Sequence, residues 1–208
     1  MPVSDKAILR KLSPYNAAIT REQFLYYEMR STAKLLSEGL SESEITQKIV
    51  EENLFQYPTE KSVRVIVQGC LRRLRYVDET LIKAIATENS SGSKQICLYA
   101  MMKQYRLVWD FMVNVIGEKY RTQDFSYGRI DMNSFFIRLQ EQDEWVASWS
   151  DNTVKKLKQV LNNLLVENEY ISSCNSNHLN SVMINSFLEN AIRLNNDESA
   201  LPAFNCFN

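Results

Sequence analysis

Apolar residues recur at intervals of three and four along almost the whole chain, and few helix-breaking residues interrupt them. Only 5 glycines and 4 prolines occur among 208 residues. Intervals of three and four match the turn of an α-helix, whereas a half-buried strand alternates at every second residue. The sequence therefore predicts an all-α, or at least mainly α, fold. At this length the chain can bury a substantial core, as one large domain or two small ones.

Two of the predicted helices are defined by local signals. Thr20 and Gln23 have the spacing of a capping box, and Gly39 suits the left-handed position that closes a helix. These residues predict a helix over about residues 21–38. Residues 94–117 carry apolar side chains nearly all round, which predicts one central and deeply buried helix.

The polar segment RTQDFSYGRIDM, at residues 121–132, is the best candidate for a domain boundary. It predicts an N-terminal helical bundle over residues 1–120 and a C-terminal helical part over residues 121–208. In the C-terminal part a helix and a turn precede a helix that Ser150 can cap. That order is typical of a helix-turn-helix. A hairpin from VENEYIS, at residues 166–172, would complete a winged version.

The helix after Ser150 has two chemically distinct faces. Leucine and valine form one face, and the opposite face carries side chains that contact phosphates and base edges in nucleic-acid complexes. These candidate DNA-binding residues are Asn152, Lys155, Lys156, Lys158, Gln159 and Asn163. An ordinary surface helix has the same pattern, so both interpretations stay open at this point.

A second basic stripe lies on the helix predicted after Pro58. Its members are spaced by three and four residues, with one further arginine at the flank. They are Lys61, Arg64, Gln68, Arg72 and Arg75, with Arg73 beside them. No acidic residue occurs between Glu60 and Asp78. The stripe suits contact with a polyanion, or ion pairs with acidic residues of neighbouring helices.

Composition limits which functions the chain can have. Lys and Arg number 24 against 25 Asp and Glu, which gives a formal charge of -1. No global positive field draws the protein to nucleic acid or anionic lipid, so binding requires a local patch. The most apolar run, residues 106–117, is too short to span a bilayer and contains Asp110. We therefore expect no membrane segment.

The sequence contains none of the common signatures of catalysis. Phosphate-binding glycine loops, the zinc-protease HExxH motif and the GxSxG nucleophile motif are all missing. The four cysteines are far apart in sequence and form no CxxC pair, which argues against a zinc site or a disulfide framework. We expect a cytoplasmic protein that is not an enzyme, with no catalytic residue, cofactor, metal or small-molecule substrate.

Four stretches resemble a known family. They are YNAAITREQFLYYEMRSTAKLLSEGLSESEI, YPTEKSVRVIVQGCLRRLR, FSYGRIDMNSFF and DEWVASWSDNTVKKLKQVLNNLLVENEYI. Together they resemble BrxA, a small non-catalytic component of bacterial BREX phage-exclusion systems. The resemblance implies a cytoplasmic helical protein whose fold is likened to the NusB antitermination factor. It also implies binding to double-stranded DNA and work alongside other BREX system proteins.

Three hypotheses follow for function. The first is a DNA-binding accessory protein of phage defence, with contacts mainly to phosphates and little sequence preference. The second is a protein-interaction module that assembles larger BREX components through its basic stripes. The third makes RNA the ligand, as the likeness to NusB implies.

Overall fold

The computed structural model describes residues 3–207, and this part of the chain is mainly α-helical, as predicted. Residues 1, 2 and 208, the outermost positions of the two predicted domains, lie outside the described residues. The helices are α1 (Val3–Leu12), α2 (Tyr26–Ser37), α3 (Glu42–Glu51), α4 (Glu60–Leu74), α5 (Glu79–Thr87), α6 (Ser90–Gln104), α7 (Arg106–Phe111), α8 (Glu118–Arg121), α9 (Arg129–Gln142), α10 (Glu144–Ala147), α11 (Asp151–Glu167) and α12 (Ser186–Leu194).

Shorter helical segments join several of these helices. A 3₁₀ turn spans Ala18–Thr20, a π-helix spans Met112–Gly117, and a second 3₁₀ segment spans Glu198–Phe204. Within the described residues no helix combines the length and the apolarity needed to cross a lipid bilayer.

The chain forms two compact units. Unit 1 consists of the described residues of Met1–Gln23, Tyr105–Met183 and Asp197–Asn208, and unit 2 consists of Phe24–Gln104 and Ile184–Asn196. These units do not follow the predicted division between residues 120 and 121.

The reason is that unit 1 is held together by contacts between segments distant in sequence. Tyr15 Oη donates to Asp110 Oδ2 over 2.7 Å, and the turn Ala18–Thr20 packs against α11. The π-helix packs against the segment Glu198–Phe204. Residues 121–132, predicted as a boundary, therefore lie inside unit 1.

Unit 2 is built on the amphipathic helices α2, α3 and α4. One face of α4 is apolar and buried, with residues spaced by three and four: Val63, Ile66, Val67, Cys70, Leu71 and Leu74. Part of this stripe joins one cluster with residues of α2 and α3, namely Leu35, Ile45, Ile49 and Val50. Burying a leucine, valine or isoleucine side chain contributes about 1.5–3 kcal/mol, so this cluster dominates the packing of the three helices.

The predicted start of α2 is wrong. Thr20 ends a 3₁₀ turn, where its hydroxyl donates to the Ala17 carbonyl over 2.8 Å, so it caps no α-helix. Helix α2 begins at Tyr26, after Leu25 adopts a left-handed conformation with φ of 57°. Its end agrees with the prediction, because Gly39 has φ of 87°. A left-handed glycine at this position is the usual way to end a helix.

The predicted helix over residues 94–117 is deeply buried but not continuous. Tyr105 has an extended backbone (φ -118°, ψ 106°), and this residue separates α6 from α7. The π-helix Met112–Gly117 then follows α7 directly. No proline or glycine marks the break at Tyr105 in the sequence.

The C-terminal half of unit 1 contains helices α9 and α11, but the short helix α10 stands where a turn was predicted, and the segment predicted as a wing forms no hairpin. Helices α9, α10 and α11 follow one another, and Ser150 Oγ accepts the Thr153 amide at the start of α11. The segment VENEYIS forms the end of α11 and the turn after it, with Tyr170 and Ile171 buried. The hairpin prediction for this segment is therefore wrong.

Candidate nucleic-acid interface

Helix α11 buries one face and exposes the other, as its sequence predicts. The buried side chains are Val154, Leu157, Val160, Leu161, Leu164 and Leu165. On the opposite face Asn152, Lys155, Lys156 and Gln159 are exposed, and Lys158 and Asn163 are partly exposed. All six predicted residues of this helix therefore reach solvent.

Four of these six side chains line one groove of about 820 Å³, named here the α11 groove. Its walls are α11, the start of α9 with the residues just before it, and the loop 174–177. The lining residues are Tyr127, Gly128, Arg129, Met132, Asn133, Lys155, Lys158, Gln159, Asn162, Asn163, Cys174, Asn175, Ser176 and Asn177. They include three cations and no carboxylate. Asn152 and Lys156 do not line the groove.

Backbone hydrogen bonds between distant segments hold two walls of this groove together. The Tyr127 amide donates to the Asn177 carbonyl over 3.1 Å, and the Leu179 amide donates to the Phe125 carbonyl over 2.8 Å. An isolated antiparallel bridge pairs Ser126 with His178. The loop 174–177 is therefore fixed beside the N-terminus of α9.

A buried tyrosine connects this wall to α11. Tyr127 Oη donates to Asn162 Oδ1 over 3.0 Å. A tyrosine is protonated at neutral pH, and burial raises the pKa of Tyr127 further above its ordinary value, so the phenol remains a donor. This contact orients an amide of α11 at the base of the groove.

Some side chains of the groove are held by hydrogen bonds, and the polar groups of others make no such contact. Lys158 Nζ donates to Asn133 Oδ1 over 2.7 Å and lies 5.5 Å from the centre of the Phe136 ring. By contrast Arg129, Lys155 and Gln159 make no hydrogen bond or ion pair with the part of the chain that the structure describes. Their polar groups are available to a ligand.

The composition of the α11 groove suits an anionic ligand with polar edges. Three cations without a lining carboxylate give a local positive potential in a chain that is close to neutral. The amides of Asn133, Gln159 and Asn163 can both donate and accept hydrogen bonds. Phosphate oxygens and base edges present the complementary groups.

The basic stripe of α4 has a different electrostatic setting. Lys61, Arg64, Gln68 and Arg75 are exposed and Arg72 is partly exposed. Arg75 forms a bidentate ion pair with Glu42 of α3. Arg75 Nε donates to Glu42 Oε1 over 2.8 Å, and Arg75 Nη2 donates to Glu42 Oε2. This hydrogen bonding lowers the pKa of Glu42 below its ordinary value. Arg64 lies 3.8 Å from Glu60.

A groove of about 750 Å³ lies between α3 and α4 and includes part of this stripe. Its lining residues are Glu42, Ser43, Thr46, Gln47, Glu51, Arg64 and Gln68. Two carboxylates and one guanidinium share this surface. It is therefore a mixed-charge groove and suits a polyanion less well than the α11 groove does.

The structure contradicts the prediction that Arg73 contacts DNA. Its side chain is fully buried in unit 2, where Nη1 donates to the Phe24 carbonyl over 2.7 Å. Helical spacing placed Arg73 at the flank of the stripe, but α2 and the residues before it cover that flank. Arg73 is a core residue.

Sequence reasoning identified four of the fourteen residues that line the α11 groove and missed the others. Arg129 and Asn133 are four residues apart on α9, which places them on one face of that helix, and this spacing was a usable signal. Asn175 and Asn177 come from the polar segment SCNSN, which has no periodicity. Only the long-range pairing of residues 125–127 with residues 177–179 brings them to the groove.

Comparison with known proteins shows what the chain is similar to. The family model described as BrxA matches residues 13–196. A protein of Bacillus cereus named BREX protein BrxA is 37% identical over 163 residues, which are 78% of this chain and 82% of the relative. A protein of Paramagnetospirillum magneticum with the same name is 24% identical over 184 residues, or 88% of this chain and 92% of the relative.

The fold itself also has a solved counterpart. The crystal structure of an uncharacterized protein from Magnetospirillum magneticum matches with a TM-score of 0.74 and 23% identity. The match covers 92% of this chain and 98% of that protein. A family model that spans most of the chain agrees with the similarity to the Bacillus cereus relative, and the chain belongs to the BrxA family.

Proposed function

We propose that this chain is a non-catalytic, DNA-binding accessory protein of a BREX anti-phage defence system, acting with other BREX proteins. Membership of the BrxA family supports the assignment to phage defence. The observation that carries the DNA-binding part is the α11 groove, which brings Arg129, Lys155 and Lys158 together without a lining carboxylate.

The groove acts on double-stranded DNA mainly through the phosphates. Arg129 and Lys155 have open charged ends, and Lys158 supplies a third cation at a fixed position. Each phosphate that a cation neutralises releases condensed counterions, which favours binding and makes it sensitive to salt. Contacts of this kind position the duplex but carry no sequence information. The affinity is therefore modest and tolerant of sequence.

In this proposal the α11 groove contributes more to DNA binding than the basic stripe of α4 does. A phosphate beside Arg75 competes with Glu42, and a phosphate beside Arg64 lies near Glu60. Nearby carboxylates repel the phosphate and reduce the counterion release that each arginine can contribute. The α4 stripe contributes at most a weaker, secondary contact.

Charge reversal on the two helices tests whether α11 contributes more to DNA binding than α4 does. The variant Lys155→Glu/Lys156→Glu/Lys158→Glu is compared with Lys61→Glu/Arg64→Glu for binding to one fluorescent duplex at low salt. All five changed side chains reach solvent, so folding should be retained, and circular dichroism checks it. We expect the α11 variant to lose binding at least tenfold, with a smaller loss for the α4 variant. Full binding by the α11 variant contradicts the proposal.

A second candidate function is a protein-interaction module that assembles BREX components. The mixed-charge groove between α3 and α4 favours it, because surfaces with both signs of charge suit protein partners better than phosphates. This function requires that the chain co-purify with another BREX protein from its host. It also requires that Glu51→Lys, which inverts one charge of that groove, abolish the co-purification while duplex binding remains.

RNA is a third possible ligand, and the same assay separates it from DNA. A structured RNA and a DNA duplex of equal length compete for the protein at one salt concentration. The proposal expects the DNA duplex to bind at least as well as the RNA. A clear preference for RNA assigns the α11 groove to RNA instead.

A further inference from the structure

Unit 1 contains a second polar cavity that shares no residue with the α11 groove. Its volume is about 270 Å³. Three segments form its walls: the chain around Tyr15, helix α7 with the π-helix that follows it, and residues 135–142 of α9. The lining residues are Tyr15, Arg106, Asp110, Asn114, Phe135, Arg138, Leu139 and Gln142. The proposed binding of DNA makes no use of them.

The deepest polar group of this cavity is a buried carboxylate with one unused oxygen. The side chain of Asp110 is 6% exposed. Tyr15 Oη and Arg106 Nε donate to the same oxygen, Oδ2, over 2.7 and 2.9 Å. No group in the described part of the chain donates to Oδ1. Because no donor of the described residues occupies Oδ1, this oxygen can accept a hydrogen bond from a donor brought by a ligand.

The rest of the cavity offers donors that the protein does not use. Arg138, Asn114 and Gln142 are exposed and make no hydrogen bond or ion pair with residues that the structure describes. Asn114 belongs to the π-helix Met112–Gly117. Single π-turns inserted among α-helices occur often at functional sites, because they redirect a side chain from the regular helical position.

The charges of the cavity indicate the ligand. The positive charge of Arg106 balances the negative charge of Asp110. The positive charge of the Arg138 guanidinium therefore has no negative partner among the lining residues. A guanidinium forms two parallel hydrogen bonds with a carboxylate or with a phosphate, and a carboxylate is the smaller of the two groups. The unused Oδ1 pairs best with an ammonium group. The buried side chains of Phe135 and Leu139 add an apolar part to the lining of the cavity.

We propose that this cavity binds a free α-amino acid, with its ammonium group on Asp110 Oδ1 and its carboxylate on Arg138. The volume lies just below the range of about 300–1,000 Å³ that holds larger organic ligands, so a nucleotide or a peptide is too large. The site is a binding site, and no reaction is assigned to it. This inference is independent of the proposed function, because binding here is measured without DNA.

The test is a titration of the ¹⁵N-labelled full-length chain with the twenty common L-amino acids, one at a time, followed by NMR. We expect saturable shifts for at least one amino acid at concentrations up to about 10 mM. The same amino acid with its ammonium group removed, for example glutarate in place of L-glutamate, should bind at least tenfold more weakly. Inorganic phosphate serves as a general anion probe.

Two variants assign the binding to this cavity. Arg138→Ala should weaken binding at least tenfold, and Arg21→Ala, which changes an exposed arginine of unit 1 outside the cavity, should leave it unchanged. The proposal is overturned if no amino acid gives saturable shifts, which means that water alone fills the cavity. It is also overturned if glutarate or phosphate binds equally well, or if Arg138→Ala binds normally.

Discussion

Lys158 Nζ donates a hydrogen bond to Asn133 Oδ1 over 2.7 Å and so joins α11 to the start of α9. Both residues line the α11 groove. The contact fixes the position of the Lys158 ammonium group. The ammonium group of Lys155, three residues earlier on the same helix, makes no hydrogen bond or ion pair with the described residues. Because the partner is a neutral amide, the charge of Lys158 is not cancelled and still contributes to the potential of the groove.

The first prediction follows from this neutral partner. Asn133→Asp places a carboxylate against Lys158 and cancels one of the three positive charges, so duplex binding should weaken on the order of fivefold at low salt. Asn133→Ala removes the hydrogen bond but no charge and should bind nearly as well as wild type. Asn152→Asp adds the same charge on α11 outside the groove and should have a smaller effect. Equal losses for the two aspartate variants would show that the groove has no special role.

The second prediction concerns Arg73 as a core residue. Arg73→Ala removes a buried side chain and leaves the Phe24 carbonyl without its donor, which should lower the free energy of unfolding by about 2–4 kcal/mol. Urea denaturation measures this loss. Lys61→Ala, at the exposed start of the same helix, should change stability by less than about 0.5 kcal/mol. An unchanged stability for Arg73→Ala contradicts the burial of this arginine.

The third prediction tests the close packing of Gly117. A Cβ atom at this position would lie 2.9 Å from Pro202 Cβ and 3.0 Å from the Pro202 carbonyl carbon. Gly117→Ala should therefore destabilise the protein by about 1–3 kcal/mol, because the backbone of the Glu198–Phe204 segment must shift. Gly128→Ala is the matched control, since a Cβ atom there meets nothing within 4 Å. Thermal unfolding of both variants separates the two sites.

The fourth prediction is a loss of stability at alkaline pH. Burial, together with the hydrogen bond to Asp110, raises the pKa of Tyr15 to about 12. An unfolded tyrosine loses its proton near pH 10, so between about pH 10 and pH 12 the unfolded state holds fewer protons than the folded state. The free energy of unfolding then falls as the pH rises through this window.

Tyr15→Phe checks the origin of this effect. The variant should be less stable at neutral pH, because Asp110 loses a donor, and its stability should fall less steeply between pH 10 and pH 12. Urea midpoints at several pH values provide the measurement. A slope identical to that of wild type assigns the alkaline loss to other tyrosines.

Local patterns in the sequence were sufficient to predict the buried and exposed faces of two helices, α4 and α11. The two faces of α11 and its cap at Ser150 follow from spacing within one segment, and the structure agrees with both. The buried stripe of α4 follows from the same kind of local information. Periodicity identifies which side of a helix faces a core, because that side alone carries apolar residues.

The features that the sequence could not provide depend on contacts between distant segments. The burial of Arg73 could not be predicted from its own helix, because its acceptor, the Phe24 carbonyl, lies 49 residues away in sequence. The break at Tyr105 carries no glycine or proline signal. The α11 groove closes only because residues 125–127 pair with residues 177–179, and no pattern within either segment indicates this pairing.

The most direct measurement is the fluorescence anisotropy of an unrelated duplex of about twenty base pairs, titrated with the full-length chain from low to physiological salt. With about three phosphate contacts in the α11 groove, the logarithm of the association constant should fall linearly with the logarithm of salt concentration, with a slope of roughly -3. The variant Lys155→Glu/Lys156→Glu/Lys158→Glu should show a much flatter slope. Absence of binding at low salt, or binding that is indifferent to salt, would contradict a phosphate-contacting groove on α11.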